Sequence, residues 1–96
     1  MKLFATLYSA MPLEQLVERI CCAQWRCEKV SDNEFSLQGA GVQLTVEGSG
    51  DVLMFGEVQL ELSEIDLWVA SFSELRLSYN IDIHADEARL IRRYQQ

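Results

Sequence analysis

The stretch LRLSYNIDI, residues 75–83, alternates apolar and polar side chains over its whole length. Its apolar positions are Leu75, Leu77, Tyr79, Ile81 and Ile83. A period of two places every second side chain on the same face of a β-strand. This stretch is the most regular strand pattern in the chain, and it predicts a sheet that packs one face on a core.

The same alternation recurs through most of the remaining sequence. We predict strands over residues 2–8, 27–31, 34–38, 41–47 and 52–62, separated by turn sequences such as SDN (31–33) and GSGD (48–51). Within 52–62, Gly56 interrupts the pattern and predicts a bulge or a tight turn. In the second half of that stretch Val58, Leu60 and Leu62 are predicted to face the core, opposite Glu57, Gln59 and Glu61.

Two segments predict helices instead. Leu13, Leu16, Val17 and Ile20 follow the i, i+3, i+4, i+7 spacing of an amphipathic helix, with a first turn marked by Pro12 and an N-cap at Ser9. At the end of the chain, residues 85–96 predict a short helix. Its acids stand first (Asp86 and Glu87) and its bases last (Arg89, Arg92 and Arg93), as the helix dipole favours.

Residues 63–74, SEIDLWVASFSE, fit two structures. Ile65, Leu67 and Val69 alternate as in a strand, whereas Ile65, Trp68 and Phe72 have helical spacing. We favour the strand because β-branched and aromatic residues are abundant there. The whole chain, residues 1–96, is then a single α+β domain. It has one curved, mostly antiparallel sheet, an N-terminal helix after the first strand and a short C-terminal helix. The predicted core includes Leu16, Ile20, Leu44, Leu60, Leu77 and Ile81.

The three cysteines of the chain, Cys21, Cys22 and Cys27, lie within the segment ICCAQWRC (20–27). An odd number without C-x-x-C spacing is typical of free thiols in a cytoplasmic protein. We interpret them as structural thiols and expect neither a metal nor another cofactor, with redox sensitivity as the alternative. No apolar run approaches the ~18 residues of a membrane span, so we expect no membrane partner.

The sequence contains no pattern that predicts catalysis. His84 is the single histidine, and no serine is placed beside it and Asp82 to complete a nucleophilic triad. Each of the segments GAG and GSG leads into a strand rather than a helix, so neither predicts a phosphate-binding loop. We therefore predict that the protein is not an enzyme.

The distribution of charge is the strongest functional signal. The net charge is −7, from 15 acidic and 8 basic residues, and no Lys or Arg occurs between Lys29 and Arg76. That span contains the acids Asp32, Glu34, Glu47, Asp51, Glu57, Glu61, Glu64, Asp66 and Glu74. Such a surface repels nucleic acid and attracts a basic protein partner. Acidity that serves solubility alone is the alternative.

Two classes of function fit these observations. The first is a small, acidic, non-catalytic protein-binding module, such as an inhibitor or immunity-type protein that docks a basic partner. The second is a homodimeric secretion chaperone. The size, acidity and α+β order resemble those of the small acidic chaperones of type III secretion, although the chain is short for that class and no motif is matched. A small enzyme is the third alternative.

A binding surface is predicted from the stretch 57–68. If it forms a strand that bends at Ser63 and Glu64, its outward side chains surround a tryptophan with carboxylates, an arrangement suited to a basic partner. The predicted partner-binding residues are Glu57, Gln59, Glu61, Glu64, Asp66 and Trp68. The alternative is that Trp68 is buried, because this stretch is covered on both faces or is a helix.

The interpretation of the cysteines can be tested on freshly purified protein by native mass spectrometry. We expect the mass of the bare chain with three thiols, because isolated structural cysteines need no partner. A stoichiometric zinc ion, or a mass lower by two protons, would contradict this interpretation.

Overall fold

One open sheet of seven antiparallel strands forms the body of the protein. The computed structural model describes residues 1–85 and 89–96, without the side chain of Ser49. The elements are β1 (Lys2–Tyr8), α1 (Leu13–Ile20), β2 (Arg26–Ser31), β3 (Glu34–Gly39), β4 (Val42–Ser49), β5 (Asp51–Val58), α2 (Leu62–Ala70), a 3-10 turn (Ser71–Leu75), β6 (Ser78–His84) and β7 (Leu90–Gln95).

The strand order is β2-β3-β4-β5-β1-β6-β7. Consecutive hairpins build the part from β2 to β5, and β1 then lies between β5 and β6. At this junction Leu3 is opposite Gly56 on one side and Ile83 on the other, so the register continues across the sheet. The α+β class and the single antiparallel sheet predicted from the alternation are confirmed.

Both helices and the 3-10 turn contribute side chains to one core on the inner face of the sheet. Helix α1 follows β1 as predicted and buries Leu16, Val17 and Ile20, with β4 among the strands beneath it. It begins after Pro12, while the Ser9 hydroxyl accepts a hydrogen bond from the Met11 N–H instead of capping the helix. In the described part of the chain, no helix is long and apolar enough to cross a membrane.

Residues 62–75 form a helix and a 3-10 turn, so the strand that we favoured for 63–74 is wrong. Ile65, Trp68, Val69 and Phe72 are buried at helical spacing, whereas Leu67 stands 74% exposed. The helix start is stabilised by Glu64, whose carboxylate accepts the N–H of Glu61 at 3.2 Å. Burial of the helical stripe against the sheet outweighs the local β-propensity of these residues.

The chain ends in a strand, so the predicted C-terminal helix over 85–96 is wrong for its described part. Strand β7 pairs with the free edge of β6, where Ile83 is opposite Arg92 and Asp82 is opposite Arg93. An edge strand offers unpaired backbone groups, and satisfying them outweighs a charge order that favours a helix. Asp86 and Glu87 lie outside the described residues.

Strand β5 continues through Gly56 but ends at Val58, so the predicted strand does not extend to residue 62, where α2 begins. Gly56 has φ +151°, and a Cβ at this position would lie 2.1 Å from the carbonyl oxygen of Gln43 on β4. Only glycine permits this close approach within the sheet. The predicted inward direction of Val58 is confirmed, since its side chain is buried.

The predicted core is largely confirmed. Five of its residues (Leu16, Ile20, Leu44, Leu77 and Ile81) are at most 1% exposed, while Leu60 is partly buried at the rim. Phe72, the largest of the fully buried side chains, belongs to the segment whose structure we did not predict.

Truncation of Leu77 tests this core. Leu77→Ala should lower the free energy of unfolding by about 2–5 kcal/mol, because it leaves a cavity in a packed interior. The same truncation at exposed Leu67 serves as a matched control and should change stability by less than about 0.5 kcal/mol. Chemical denaturation followed by circular dichroism measures both, and equal effects would contradict the assigned burial.

Candidate protein-binding surface

The outer face of the sheet, opposite the helices, is covered by none of the described elements. Cross-strand pairing places Phe4 of β1 directly opposite Phe55 of β5, and Thr6 opposite Leu53. These side chains alternate with the buried Leu3, Ala5 and Leu7, so they project away from the core. The centre of the sheet therefore presents aromatic and aliphatic groups to solvent.

We call Phe4, Tyr8, Leu53 and Phe55 the open-face patch. Phe4 is 53% exposed, Leu53 46% and Tyr8 42%, while Phe55 is partly buried between its neighbours. A shallow depression of about 260 Å³ lies among Phe4, Leu53 and Phe55 and extends toward Asn80 and Asp82 on β6. A contiguous group of exposed large apolar side chains on a small protein indicates an interaction surface.

Carboxylates line one side of this patch. Glu34 of β3 and Glu47 of β4 stand directly opposite each other, and Glu47 is in turn opposite Leu53. Asp51, at the start of β5, is opposite Tyr8. We call Glu34, Glu47 and Asp51 the acidic flank. Like charges at directly opposed positions destabilise a sheet, and a cation placed between them would relieve that cost.

On the other sides of the patch, Lys2 and Asp82 each stand in register opposite a residue of the other charge. Lys2 is paired across the strands with Glu57. Arg93 of β7 donates two hydrogen bonds to Asp82, with the shorter distance 2.8 Å, and this interaction holds the pKa of Asp82 below its usual value. The unbalanced negative charge of the outer face therefore concentrates at the acidic flank.

The six predicted partner-binding residues do not share one surface. The prediction that Trp68 projects beside the carboxylates is wrong, since it lies in the core at 7% exposure. Its indole N–H donates to the carbonyl of Ile20 at 2.8 Å, and its ring packs edge to face with Trp25 and Phe72. Because residues 62–70 are helical, the bend assumed at Ser63 and Glu64 is replaced by the first turn of α2.

Asp66 is part of a polar contact between α2 and β7. Its carboxylate accepts hydrogen bonds from the Arg92 guanidinium at 2.9 and 3.0 Å and from the hydroxyl of Tyr94. Partial burial, together with this hydrogen bond to a carboxylate, raises the pKa of Tyr94. Asp66 therefore has a structural role that fastens the last strand to the helix.

The other four predicted residues fall in three places. Glu57 lies on the outer face of β5, at the end of the sheet away from the acidic flank. Gln59 follows β5, where its N–H donates to the carbonyl of Gly41. Glu61 and Glu64 stand at the start of α2, and of these Glu64 shares a cleft with Trp68 and Trp25.

The cysteines lie outside the fully buried core. Cys21 and Cys22 are half-buried and Cys27, on β2, is exposed; all three are free. Desolvation is the main factor that raises the pKa of each thiol, and neighbouring charge adds to this effect at Cys21 and Cys27. Because the thiolate is the reactive form, the three groups are poor nucleophiles at neutral pH.

The sequence did not predict the open-face patch, because its residues occupy the strand positions that the alternation pattern assigns to the solvent-facing side. In KLFATLY (2–8) the apolar positions Leu3, Ala5 and Leu7 define the core face, and Phe4 and Tyr8 fall on the other one. Two aromatic residues at solvent-facing positions of the same strand were the available signal. In β5 the consecutive apolar residues of VLMF concealed the alternation.

Comparison of the chain with models of protein families, with curated proteins and with solved structures finds no match. The functional inference therefore rests on the geometry and chemistry of this surface.

The structural role of Asp66 can be measured by substitution. Asp66→Asn should lower the free energy of unfolding by about 1 kcal/mol, since it weakens charge-assisted hydrogen bonds that remain partly open to water. Asp51→Asn, the same change at an exposed acid of the outer face, should have little effect on stability. If thermal denaturation ranks the two variants in the reverse order, the structural role assigned to Asp66 is wrong.

Proposed function

We propose that the protein is a non-catalytic binding module that docks a basic protein partner on the outer face of its sheet. The observation that carries this proposal is the contact between two features, an uncovered apolar patch at the centre of the sheet and an unbalanced group of carboxylates beside it. The first supplies binding energy and the second supplies selectivity for positive charge.

The open-face patch has the composition of an interface centre. Phe4 and Tyr8 are aromatic, and aromatic side chains bury a large area for a small loss of conformational freedom. Each Å² of apolar surface removed from water contributes roughly 25 cal/mol, so covering these exposed side chains favours association. The opposed pair Phe4 and Phe55 provides a rigid base, because both residues lie on central strands.

The acidic flank argues for a basic partner over a second copy of this chain. Two copies that met face to face would bring their carboxylates together, in a chain that already carries a net charge of −7. A partner with Lys or Arg beside apolar residues would instead place cations near Glu34 and Glu47. The same negative field disfavours direct contact with nucleic acid, because binding to its phosphates requires clustered Lys and Arg side chains.

An inhibitor or immunity-type protein is the biological role that we propose for such a module, and we place it in the cytoplasm because its three cysteines are free. A homodimeric, secretion-chaperone type of protein is the second candidate. The exposed apolar patch favours it as well, since a chaperone would hold an unfolded apolar segment there. The two roles differ in their dependence on salt, because screening weakens charge attraction and leaves apolar contacts intact.

The proposal can be tested by NMR with two peptides of equal length, one alternating lysine with leucine and the other glutamate with leucine. We expect the basic peptide to shift the amide signals of β1, β4 and β5 around Phe4, Glu47 and Leu53, and to bind more weakly as salt is added. Leu53→Ser should weaken binding at least about fivefold, as removal of an interface anchor does. Leu67→Ser, at the exposed position on α2, should not.

A second pair of variants separates local charge from net charge. Glu47→Lys and Glu18→Lys change the net charge equally. Glu18, however, is an exposed residue of α1, which packs on the opposite side of the sheet. Only Glu47→Lys should weaken binding of the basic peptide and flatten its salt dependence. Equal binding of both peptides, or binding at the patch that salt does not alter, would contradict a basic partner and support the chaperone alternative.

A further inference from the structure

A second concave site lies on the helical side of the sheet, where the segment between α1 and β2 meets α2 and the turn between β3 and β4. It is an open cleft of about 280 Å³. Both tryptophans of the chain, Trp25 and Trp68, line it together with Ala40, Leu60, Cys22 and Glu64. Among the described residues that line it there is no Lys, Arg or His, and Glu64 is the one acidic side chain.

The two indoles form adjoining walls of fixed geometry. Their ring centroids are 5.1 Å apart and their planes meet at 63°. Trp68 is held by its hydrogen bond to Ile20, which uses the only donor of its ring. It is 7% exposed and reaches the cleft with a small part of its ring, so Trp25 offers the larger aromatic surface. Trp25 lies against the backbone of Gly39, where an added Cβ would stand 2.4 Å from its Cδ1. The walls are therefore preorganised before any ligand arrives.

The chemistry of these walls selects positive charge. The face of an indole carries the negative end of the ring quadrupole, and Trp is the strongest cation–π partner among the side chains. Glu64 adds a full negative charge at the same cleft, and its position is fixed because one of its oxygens accepts the Glu61 N–H. The Cys22 thiol is a neutral part of the wall, since burial raises its pKa.

We propose that this cleft binds an organic cation of the size of an arginine head group or a quaternary ammonium. Its volume is below the range typical of drug-sized ligands, about 300–1,000 Å³, so it suits one side chain or one small amine. The proposal is independent of the outer face, because the two sites share no residue.

Intrinsic fluorescence tests this directly, because the only two tryptophans of the protein line the cleft. Choline and N-acetylarginine amide serve as cationic probes, and 3,3-dimethyl-1-butanol is the neutral counterpart of choline. We expect saturable emission changes with at least one cation, with affinity about 5- to 30-fold above that for the neutral alcohol. Tighter binding of the arginine derivative identifies a protein side chain as the source of the cation, whereas tighter binding of choline identifies a free amine.

Two glutamates provide a matched comparison. Glu64→Gln removes the charge from the cleft and should weaken cation binding about threefold or more. Glu61→Gln alters the same helix start but does not line the cleft, and it should leave the affinity unchanged. Trp25→Leu should abolish the preference for the cation, and calorimetry replaces fluorescence for that variant.

Equal affinity for choline and the neutral alcohol would overturn the proposal, as would an unchanged affinity in Glu64→Gln. Those results would define the cleft as a plain apolar groove. Leu53→Ser, in the open-face patch, should bind choline as the unaltered protein does. A failure at either site therefore leaves the conclusion about the other one intact.

Discussion

The hydrogen bond from the Trp68 indole to the carbonyl of Ile20 is the interaction on which the helical layer depends. Ile20 is the last residue of α1, where backbone carbonyls lack N–H donors within the helix. The bond satisfies one of these carbonyls and a buried indole donor at the same time. It joins the two helices through residues that are 48 positions apart in sequence. Trp68 then continues an aromatic row from Trp25 through Phe72 to Tyr79 on the sheet.

Because the helical layer packs on one side of the sheet, one face of the sheet lines the core and the other faces water. The helices and the 3-10 turn bury the inner side chains of the strands in one cluster with Leu16, Ile65 and Phe72. With both helices placed on that side, the outer face has no covering element among the described residues, and Phe4 and Leu53 remain in contact with water. The same packing thus creates the core, the cleft beside α2 and the open-face patch.

The two faces of the sheet also differ in how their acidic side chains are balanced by basic ones. On the helical side, Asp66 is neutralised by Arg92 and serves to fasten β7 to α2. On the outer side, Asp82 is paired with Arg93. Glu34 and Glu47 instead stand opposite each other, and no basic residue lies opposite either of them on the neighbouring strands. Acids that are spread along residues 32–74 of the sequence are therefore brought partly together on the outer face, at the place where we propose that a partner docks.

The alternation in residues 75–83 predicted a strand and the direction of its core face, and β6 occupies Ser78–His84 while Leu75 lies in the preceding 3-10 turn. Side-chain direction in a strand is a local property, so Ile81 could be assigned to the interior without knowledge of the strand order. Leu77 is buried as predicted, although it precedes the strand. Helix α1 was predictable for a similar reason, because its stripe of Leu16, Val17 and Ile20 matches only one regular structure.

Long-range contacts decided the rest. The segment around Ile65 and Trp68 satisfies both a strand and a helix pattern, and only the burial of its helical stripe and the bond to Ile20 distinguish them. The segment 85–96 carries a charge order suited to a helix, but its residues 90–95 pair with an edge strand that lies close in space. The open-face patch and the cleft likewise join strands and helices distant in sequence, since which faces remain uncovered depends on where every other element packs.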